Sequence, residues 1–484
     1  MSEAVARFPA MATASAQTYS YARASALTDA GVLDLQTSGG TAHALAGPGG
    51  GGAPETAAHP RFFAGLLGEA EPAAAAILGL ANVAAAHYYR RAPSRLRDPV
   101  VTCDARRLRF ESFSACCGVY ARLDVLPEAI DGQYLARGTT NIDVNEPLRR
   151  ALSKVRGADP LKLAVGPDEV EVTTFDGTVV ERRVPLPGRW LRGFAEVQAL
   201  SSGFEPRARL GRVEAKRFLQ ALPAGGAASA LWAVTAGRGL RLTSRAVPGA
   251  VSVPEPARLK ELISLLRFGT ELTAYGPTVA ADSAPVSSCW QLDLPGMRFT
   301  LTLSPETRRG FSGEGAVLAA LAGDEVAEDA QRVGALLDFQ GRIDPDELAE
   351  QTGLARARIR PALSLLGTSG RVGFDPAEAA FFHRELPYDA ARALKDNPRL
   401  AAAYVLLDSD AVRSVGAESW VTSGEGGHLV RFESADAGAG PLSCTCAWWA
   451  RYRGGRGPCK HILAAQLNRG RGGESDDDAA GEQE

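Results

Sequence analysis

Three cysteines and one histidine near the end of the chain fall in two tight pairs, and this spacing constrains the fold more than any other feature. Cys444 and Cys446 are separated by one residue, as are Cys459 and His461, and twelve residues lie between the pairs. Structural zinc takes four tetrahedral ligands from thiolate sulfur and imidazole nitrogen, and three cysteines with one histidine are an accepted set. Alternate residues of an extended strand point to the same side, so the first pair can face one ion. The sequence therefore predicts one structural Zn2+ held by these four residues.

The segments around the ligands predict a small ββα unit. A strand-like run, residues 428–434, precedes the first pair, and Pro458 fixes the backbone before a helix that begins near Cys459. The spacing C-x-C-x12-C-x-H and this order of elements resemble the SWIM zinc finger over residues 428–468. Residues 110–152 also look like part of the long bacterial proteins that end in such a finger. The resemblance implies zinc binding and a role in DNA or protein interaction, and it does not imply catalysis.

The residues between and around the ligand pairs are cationic and aromatic, and two explanations of them stay open. From Pro441 to Gly473 there is no acidic residue, and six cations, three thiolates and one Zn2+ sum to a charge of +5. Aromatic rings interleaved with arginines bind phosphates and stack on bases. In the competing explanation, tryptophans fill the core of the finger and the arginines only solvate its surface. The candidate nucleic-acid-binding residues of the finger are Trp448, Arg451, Tyr452, Arg453, Arg456 and Lys460.

The acidic end of the chain contrasts with this basic stretch. Six acidic side chains occur between Glu474 and Glu484. Most charge runs of this kind are solubilising, disordered tails. The sharper hypothesis is that the tail competes electrostatically with an anionic ligand for the finger.

Residues 311–376 have the order of elements of a winged helix-turn-helix. Asp344 is followed three residues later by Glu347, which is the capping-box spacing at the start of a helix. A turn at Gly353 then leads into a second helix, and a short strand-like run could supply one side of a wing.

The predicted recognition helix carries arginines near its start. Arg356 and Arg360 are four residues apart and share one helical face. Recognition helices contact DNA mainly through their first turns, which makes these two residues candidate DNA contacts. Pro361 would kink the helix unless the helix begins near Arg360. Many winged helices bind proteins instead, so both kinds of ligand stay open.

Length and pattern predict a multi-domain α+β protein. A chain of 484 residues is long enough for about three domains, and its N-terminal region is rich in strand-like runs with interspersed helices. The predicted segments are a flexible low-complexity segment (1–60), an α+β region of one unit or two β-rich lobes (61–310), the winged-helix-like segment (311–376), a helical connector (377–427), the ββα SWIM-type finger (428–470) and an acidic disordered tail (471–484).

Composition limits the classes of function. The net charge of −3 predicts no global attraction to nucleic acid or anionic lipid, so such binding depends on local patches. No apolar run approaches the ~18–20 residues that span a bilayer, and seven cysteines in so long a chain favour a reducing, cytoplasmic setting over a disulfide framework. No membrane partner is expected.

The expected function is binding rather than catalysis. No nucleophile-elbow, zinc-protease or paired-carboxylate motif occurs, and the adjacent Cys116 and Cys117 lie in an apolar run that favours burial. We expect a zinc-binding protein that is not an enzyme and that acts as a DNA-binding or nucleic-acid-associated interaction module. The alternative is a protein-interaction subunit of a cytosolic assembly, in which zinc is purely structural and the basic surface meets an acidic protein partner.

Overall fold

The computed structural model describes most of the chain from residue 61 onward. The described residues are 26–27, 33–34, 43–44, 61–88, 99–184, 186–223, 230–281, 283–305, 310–313, 315, 324–386, 398–415, 418–424, 426–432, 443–453 and 457–477. The predicted flexible segment 1–60 lies outside these residues apart from three two-residue strands.

Twenty-five strands and ten α-helices make up the described ranges. The strands are β1 (Ala26–Leu27), β2 (Leu33–Asp34), β3 (His43–Ala44), β4 (Phe63–Leu67), β5 (Val100–Cys103), β6 (Leu108–Phe113), β7 (Val119–Val125), β8 (Ile130–Tyr134), β9 (Ala136–Asn141), β10 (Lys162–Val165), β11 (Glu169–Thr174), β12 (Gly177–Arg182), β13 (Glu205–Gly211), β14 (Leu231–Ala236), β15 (Gly239–Thr243), β16 (Val251–Val253), β17 (Glu271–Gly276), β18 (Ser288–Leu294), β19 (Met297–Leu303), β20 (Val372–Asp375), β21 (Ala380–His383), β22 (Val412–Val415), β23 (Glu418–Ser423), β24 (Gly426–Arg431) and β25 (Ser443–Cys444). The helices are α1 (Ala70–Ala85), α2 (Glu146–Lys154), α3 (Gly188–Ser201), α4 (Arg212–Gln220), α5 (Asp324–Gly334), α6 (Pro345–Thr352), α7 (Arg356–Thr368), α8 (Pro398–Asp408), α9 (Ala447–Tyr452) and α10 (Lys460–Asp477). Three 3-10 helices span Pro127–Ala129, Pro256–Leu265 and Gly310–Gly313. This content confirms the α+β class.

A nine-stranded antiparallel sheet organises the N-terminal region. Its order is β13-β17-β18-β19-β7-β6-β5-β9-β3, and β19 pairs with β7 along its whole length. This pairing joins strands of the two β-rich stretches into one continuous sheet. A five-stranded sheet, β12-β11-β10-β4-β8, contributes to the same core.

The two faces of the large sheet differ in chemistry because side chains alternate along each strand. Phe110, Leu123 and Phe299 point into the main apolar core, which α1 covers. A Cβ at Gly79 of α1 would lie 3.4 Å from the ring of Phe299, which is ordinary van der Waals contact, so α1 packs directly on this face. The residues between these apolar positions point to the opposite face, which is polar and nevertheless buried.

The polar face is covered by the winged-helix-like segment. Helices α5, α6 and α7 and the hairpin β20–β21 follow one another there, around an apolar core of their own. The expected start of α6 is confirmed, since the Asp344 carboxylate accepts a hydrogen bond of 2.8 Å from the Asp346 backbone. The predicted turn is confirmed by Gly353 in the left-handed conformation, with a φ of 71°.

The hairpin β20–β21, which stands where a wing was expected, is buried and not open to solvent. All eight residues of its two strands are buried, and Val372, Phe374 and Phe381 belong to the apolar core of the winged-helix-like segment. Four arginines and four carboxylates form an ion-pair network at this contact, and they are Arg107, Arg109, Arg122, Arg298, Asp104, Asp124, Asp375 and Glu378. The network fixes the hairpin to the sheet, because each buried charge needs its partner there.

The predicted helical connector 377–427 is wrong over much of its length. It contains strands β21, β22 and β23 besides helix α8. Strands β22 and β23 pair with β24 and β25 in a four-stranded sheet, and α8 packs on α10. These residues are therefore part of the finger, which is larger than the predicted ββα unit.

The predicted disordered tail 471–484 is contradicted over its first half. Helix α10 continues through the final basic residues to Asp477, and residues 478–484 lie outside the described ranges. Within the described ranges, none of the helices has the length and apolar character needed to cross a lipid bilayer.

Candidate metal centre and the surface beside it

The structure brings the four predicted ligands together at the junction of the finger sheet and α10. Cys444 ends the short strand β25, and Cys446 lies just before α9. Cys459 directly precedes α10, and His461 is in its first turn. All four side chains are buried, and their ligand atoms lie within 4.8 Å of one another.

The distances between the ligand atoms fit one tetrahedral zinc ion. The Nδ1 atom of His461 lies 3.9 Å from Sγ of Cys444 and 4.0 Å from Sγ of Cys459. Zinc–sulfur and zinc–nitrogen bonds of ordinary length would place tetrahedral ligand atoms about 3.5–3.8 Å apart. The site therefore needs only a small contraction to hold one Zn2+, and four protein ligands complete its coordination shell.

Backbone amides already support negative charge at two of the sulfurs. The backbone N–H of Trp449 donates to Sγ of Cys446 at 3.4 Å, and that of Ile462 donates to Sγ of Cys459 at 3.5 Å. Both donors belong to helix starts, whose free N–H groups favour anions. This arrangement explains why each ligand pair is followed directly by a helix.

The three thiols have unequal acidity before metal binds. A hydrogen bond from Cys444, with further help from His461, lowers the pKa of Cys459 to about 4. The same interaction, together with burial, raises the pKa of Cys444, and burial raises the pKa of Cys446. Zinc binds cysteine as thiolate, so thiol protons are released when the metal binds. Zinc affinity should consequently increase with pH.

The metal centre is part of a larger apolar core. Ile462 and Leu463 of α10 pack with Leu400 and Leu407 of α8. Ala195 of α3 belongs to the same cluster, which connects the finger to the large α+β region.

The twelve residues between the ligand pairs include the short helix α9. Helix α9 begins after Cys446, whose sulfur caps it, and ends at Arg453 with a φ of 43°. A six-residue helix is too short for its periodicity to be detected in sequence, and Cys446 is not one of the residue types that usually signal a helix start.

The candidate nucleic-acid contacts of the finger separate into two groups. Trp448 packs against the finger core, with its ring 4.5 Å from Tyr452 and the Arg399 guanidinium 4.6 Å from its centroid. Trp448 is only partly buried, so its contact with nucleic acid stays a prediction. Arg451 and Arg453 are exposed at the end of α9.

Two further candidates complete this account of the finger surface. Lys460 is half-buried at the start of α10, and Tyr452 is half-buried at the end of α9. Arg456 lies outside the described residues.

The recognition-helix candidates are engaged within the protein. Helix α7 begins at Arg356, so Pro361 lies inside it. Arg356 forms an exposed ion pair with Asp346 at 2.9 Å, and Arg360 donates to the backbone carbonyl of Ser202 in the loop after α3. Both arginines remain exposed, so their contact with DNA stays a prediction.

Helix α7 also packs closely on α3. A side chain at Gly367 would collide with the Gln198 side chain of α3, so the second half of α7 is committed to an internal contact.

Sequence reasoning missed an exposed aromatic residue in the finger. Trp420 of β23 is half exposed on the sheet face that points away from the metal. The alternation in "ESWVTS" followed by the glycine-rich turn "GEGG" indicated a hairpin here, but the stretch was assigned to the helical connector.

The fold and the four-ligand cluster define a zinc-finger protein with a large α+β body. The finger is of the SWIM type, since residues 428–470 match the family model described as SWIM zinc finger. That match covers under a tenth of the chain.

Further comparisons concern the rest of the chain. No curated protein matches the sequence. Among solved structures, the chain is similar to proliferating cellular nuclear antigen from Entamoeba histolytica, with 13% identity, a TM-score of 0.34 and coverage of 51% of this chain and 99% of that one. It is also similar to the PCNA2–PCNA3 complex from Sulfolobus tokodaii, with 10% identity, a TM-score of 0.36 and coverage of 50% and 99%. Likenesses this distant carry no functional argument.

Proposed function

We propose that the protein is a non-catalytic, zinc-dependent nucleic-acid-binding protein of the cytoplasm, and that α9 and the start of α10 form its contact surface. The observation that carries the proposal is the position of Arg451 and Arg453, which are exposed on the helix that the zinc ligands hold in place. Exposed cations on a rigid element are suited to contact phosphates. Metal binding fixes their position, because both ends of the segment are anchored by ligand pairs.

The charge of the finger supports an anionic ligand. The described residues 443–453 and 457–469 contain no acidic side chain, so no carboxylate of the segment itself neutralises the surface. Backbone phosphates release counterions when such cations bind them, which gives affinity without sequence preference. The proposal is therefore for general binding with a steep dependence on salt.

The proposal places binding at the finger and not at the winged-helix-like segment. The carboxylate of Asp329 accepts two hydrogen bonds from Arg358, at 2.7 and 2.8 Å, and Arg360 contacts the Ser202 carbonyl. These arginines stabilise internal contacts, and the hairpin beside them is buried.

Two observations support a binding protein in a reducing compartment. The described cysteines are all unpaired, which is typical of the cytoplasm. Burial raises the pKa of Cys117 to about 12, so this thiol stays protonated at neutral pH and is a poor nucleophile.

The test is a double variant, Arg451→Ala with Arg453→Asn, in which asparagine tolerates the left-handed backbone at the second position. Binding to labelled duplex and single-stranded DNA is measured at several salt concentrations, with zinc content measured in parallel. Loss of two phosphate contacts should lower the slope of log affinity against log salt by roughly 2. The control is Arg241→Ala with Arg245→Ala, which removes two exposed charges far along the chain from the finger.

The same experiment distinguishes the proposed function from the competing one. If wild type binds no DNA at low salt, or if the double variant binds as wild type does, the proposal is wrong. The basic surface would then be assigned to an acidic protein partner, as in a protein-interaction subunit with purely structural zinc.

A further inference from the structure

The four-stranded sheet of the finger has one face turned toward the metal and one turned away from it. Val421, Val430 and Cys444 point inward to the buried core. The residues that alternate with them point outward, and Trp420 is central among them on β23. We call this outward face the outer sheet face and define it by Arg413, Val415, Trp420, Leu429 and Thr445.

Trp420 lies against the backbone of its neighbouring strand. A Cβ atom added to Gly427 would lie only 2.3 Å from the indole ring, so the ring rests on the sheet at this glycine. Half of the Trp420 side chain nevertheless remains accessible to solvent. The indole is thus held in place by the sheet while it presents aromatic surface outward, which a base can stack on.

A cation lies directly beside the ring. Arg413 of β22 is the cross-strand partner of Trp420, and residues paired in this way carry their side chains to the same face. Arg413 is exposed, and no carboxylate of the described residues forms an ion pair with it. Arg431, farther along the face, is paired with Glu418 at 2.9 Å.

The outer sheet face continues into the surface of α9. Leu429 of β24 is the cross-strand partner of Trp420 on its other side. The Leu429 backbone exchanges hydrogen bonds with Thr445, at 3.0 Å to its hydroxyl and 3.1 Å from its N–H. Thr445 lies between two zinc ligands and is exposed, and α9 begins two residues later.

We propose that the outer sheet face is a stacking platform for single-stranded nucleic acid, in which Trp420 stacks on an unpaired base and Arg413 contacts a neighbouring phosphate. The proposal rests on the nucleic-acid function proposed above and adds a preference for single-stranded over duplex nucleic acid. Only an unpaired strand can place a base flat on the indole, whereas the α9 cations contact the phosphates of either form. The finger would therefore favour single strands over duplex.

The test compares Trp420→Ala with Trp420→Phe on single-stranded and duplex DNA. Loss of one base–aromatic stack should weaken single-strand binding by roughly 5- to 150-fold, while phenylalanine retains most of the affinity and duplex binding is unchanged. Phe175→Ala is the matched control, because Phe175 is an exposed aromatic residue outside the finger. Zinc content shows that each finger remains folded.

A second variant keeps the test decisive if Trp420→Ala loses zinc. Arg413→Glu changes an exposed residue without a carboxylate partner among the described residues, and it should weaken single-strand binding more than duplex binding. Unchanged single-strand affinity in Trp420→Ala, or in Arg413→Glu when the first variant is misfolded, overturns the platform.

Comparing the Trp420 variant with the Arg451/Arg453 variant distinguishes failure of the platform from failure of the proposed function. If Trp420 variants bind normally while the Arg451/Arg453 variant is weakened, the platform is wrong and the function stands. Weakening in the Trp420 variant alone supports the platform and moves the binding surface away from α9. Normal binding in both variants overturns both.

Discussion

Replacing Asp375 with asparagine should detach the hairpin β20–β21 from the large sheet. Asp375 is 1% exposed, with its carboxylate 2.7 Å from Arg122 and 3.2 Å from Arg298. Asparagine keeps the shape of the side chain but removes the charge, so four buried or half-buried arginines face three carboxylates. Breaking a buried pair by removal of one partner costs about 3–5 kcal/mol, because the remaining charge is buried without compensation.

Native-state hydrogen exchange localises the effect. Because about 1.4 kcal/mol corresponds to a factor of ten, the amides of β20 and β21 should exchange roughly 10²- to 4 × 10³-fold faster in Asp375→Asn. The control is Asp346→Asn, which breaks the exposed pair with Arg356 and should cost at most about 1 kcal/mol. If the two variants accelerate exchange equally, the network does not hold the hairpin.

The effect should depend on pH with a definite sign. Burial opposes the ionisation of Asp375, but Arg122, Arg298 and Arg109 outweigh it, so the pKa of this carboxyl is lowered from its ordinary value of 3.8. A lowered folded-state pKa contributes stability above the unfolded value, and this stability is lost as the pH falls through the folded value. The difference between wild type and Asp375→Asn should therefore be full at pH 7 and shrink only below about pH 4.

Three further changes test other parts of the structure. His461→Ala should reduce bound zinc from one ion to none and unfold the finger, as measured by metal analysis and circular dichroism; retained zinc would exclude His461 as a ligand. Gly310→Ala should destabilise the protein by about 2 kcal/mol or more, because its φ is +52° and a Cβ would lie 2.0 Å from the Cys117 carbonyl oxygen, and an unchanged midpoint of urea unfolding would contradict this. Removing residues 474–484, which carry six acidic side chains, should raise affinity for DNA and steepen its salt dependence; equal affinities at low salt would refute electrostatic competition by the tail.

The metal ligands could be predicted from sequence because their chemistry is local. All four lie within eighteen residues, and strand alternation and the helix start fix how each pair is presented. Residue types alone were also enough to identify Arg451 and Arg453 as candidates, although the helix that carries them was not expected.

The size of the finger was harder to predict. Strands β22 and β23 are short, and they directly follow the apolar helix α8. Their residues were therefore predicted to belong to a helical segment. What settles their position is pairing with β24, together with the contact of α8 on α10. Tertiary contacts of this kind override local propensity.

The burial of the hairpin could not be predicted at all. Arg122 and Asp375 are 253 residues apart, and Arg384 and Glu111 are 273 apart. Nothing in a single sequence assigns such partners to each other. The short strand-like run of the winged-helix-like segment therefore indicated only one side of a wing, and its burial was not expected.

The shared core of α10, α8 and Ala195 ties the stability of the finger and of α8 to the supply of zinc. A ligand that binds only the folded state stabilises it in proportion to the logarithm of its free concentration, so each tenfold change in free zinc shifts the balance by about 1.4 kcal/mol. The metal-binding segment closes the loop from Cys444 to His461, much as a covalent cross-link would. In a zinc-starved cell, we expect the finger to unfold first and to become the earliest target of proteases. The cellular amount of the protein should therefore fall when zinc is scarce.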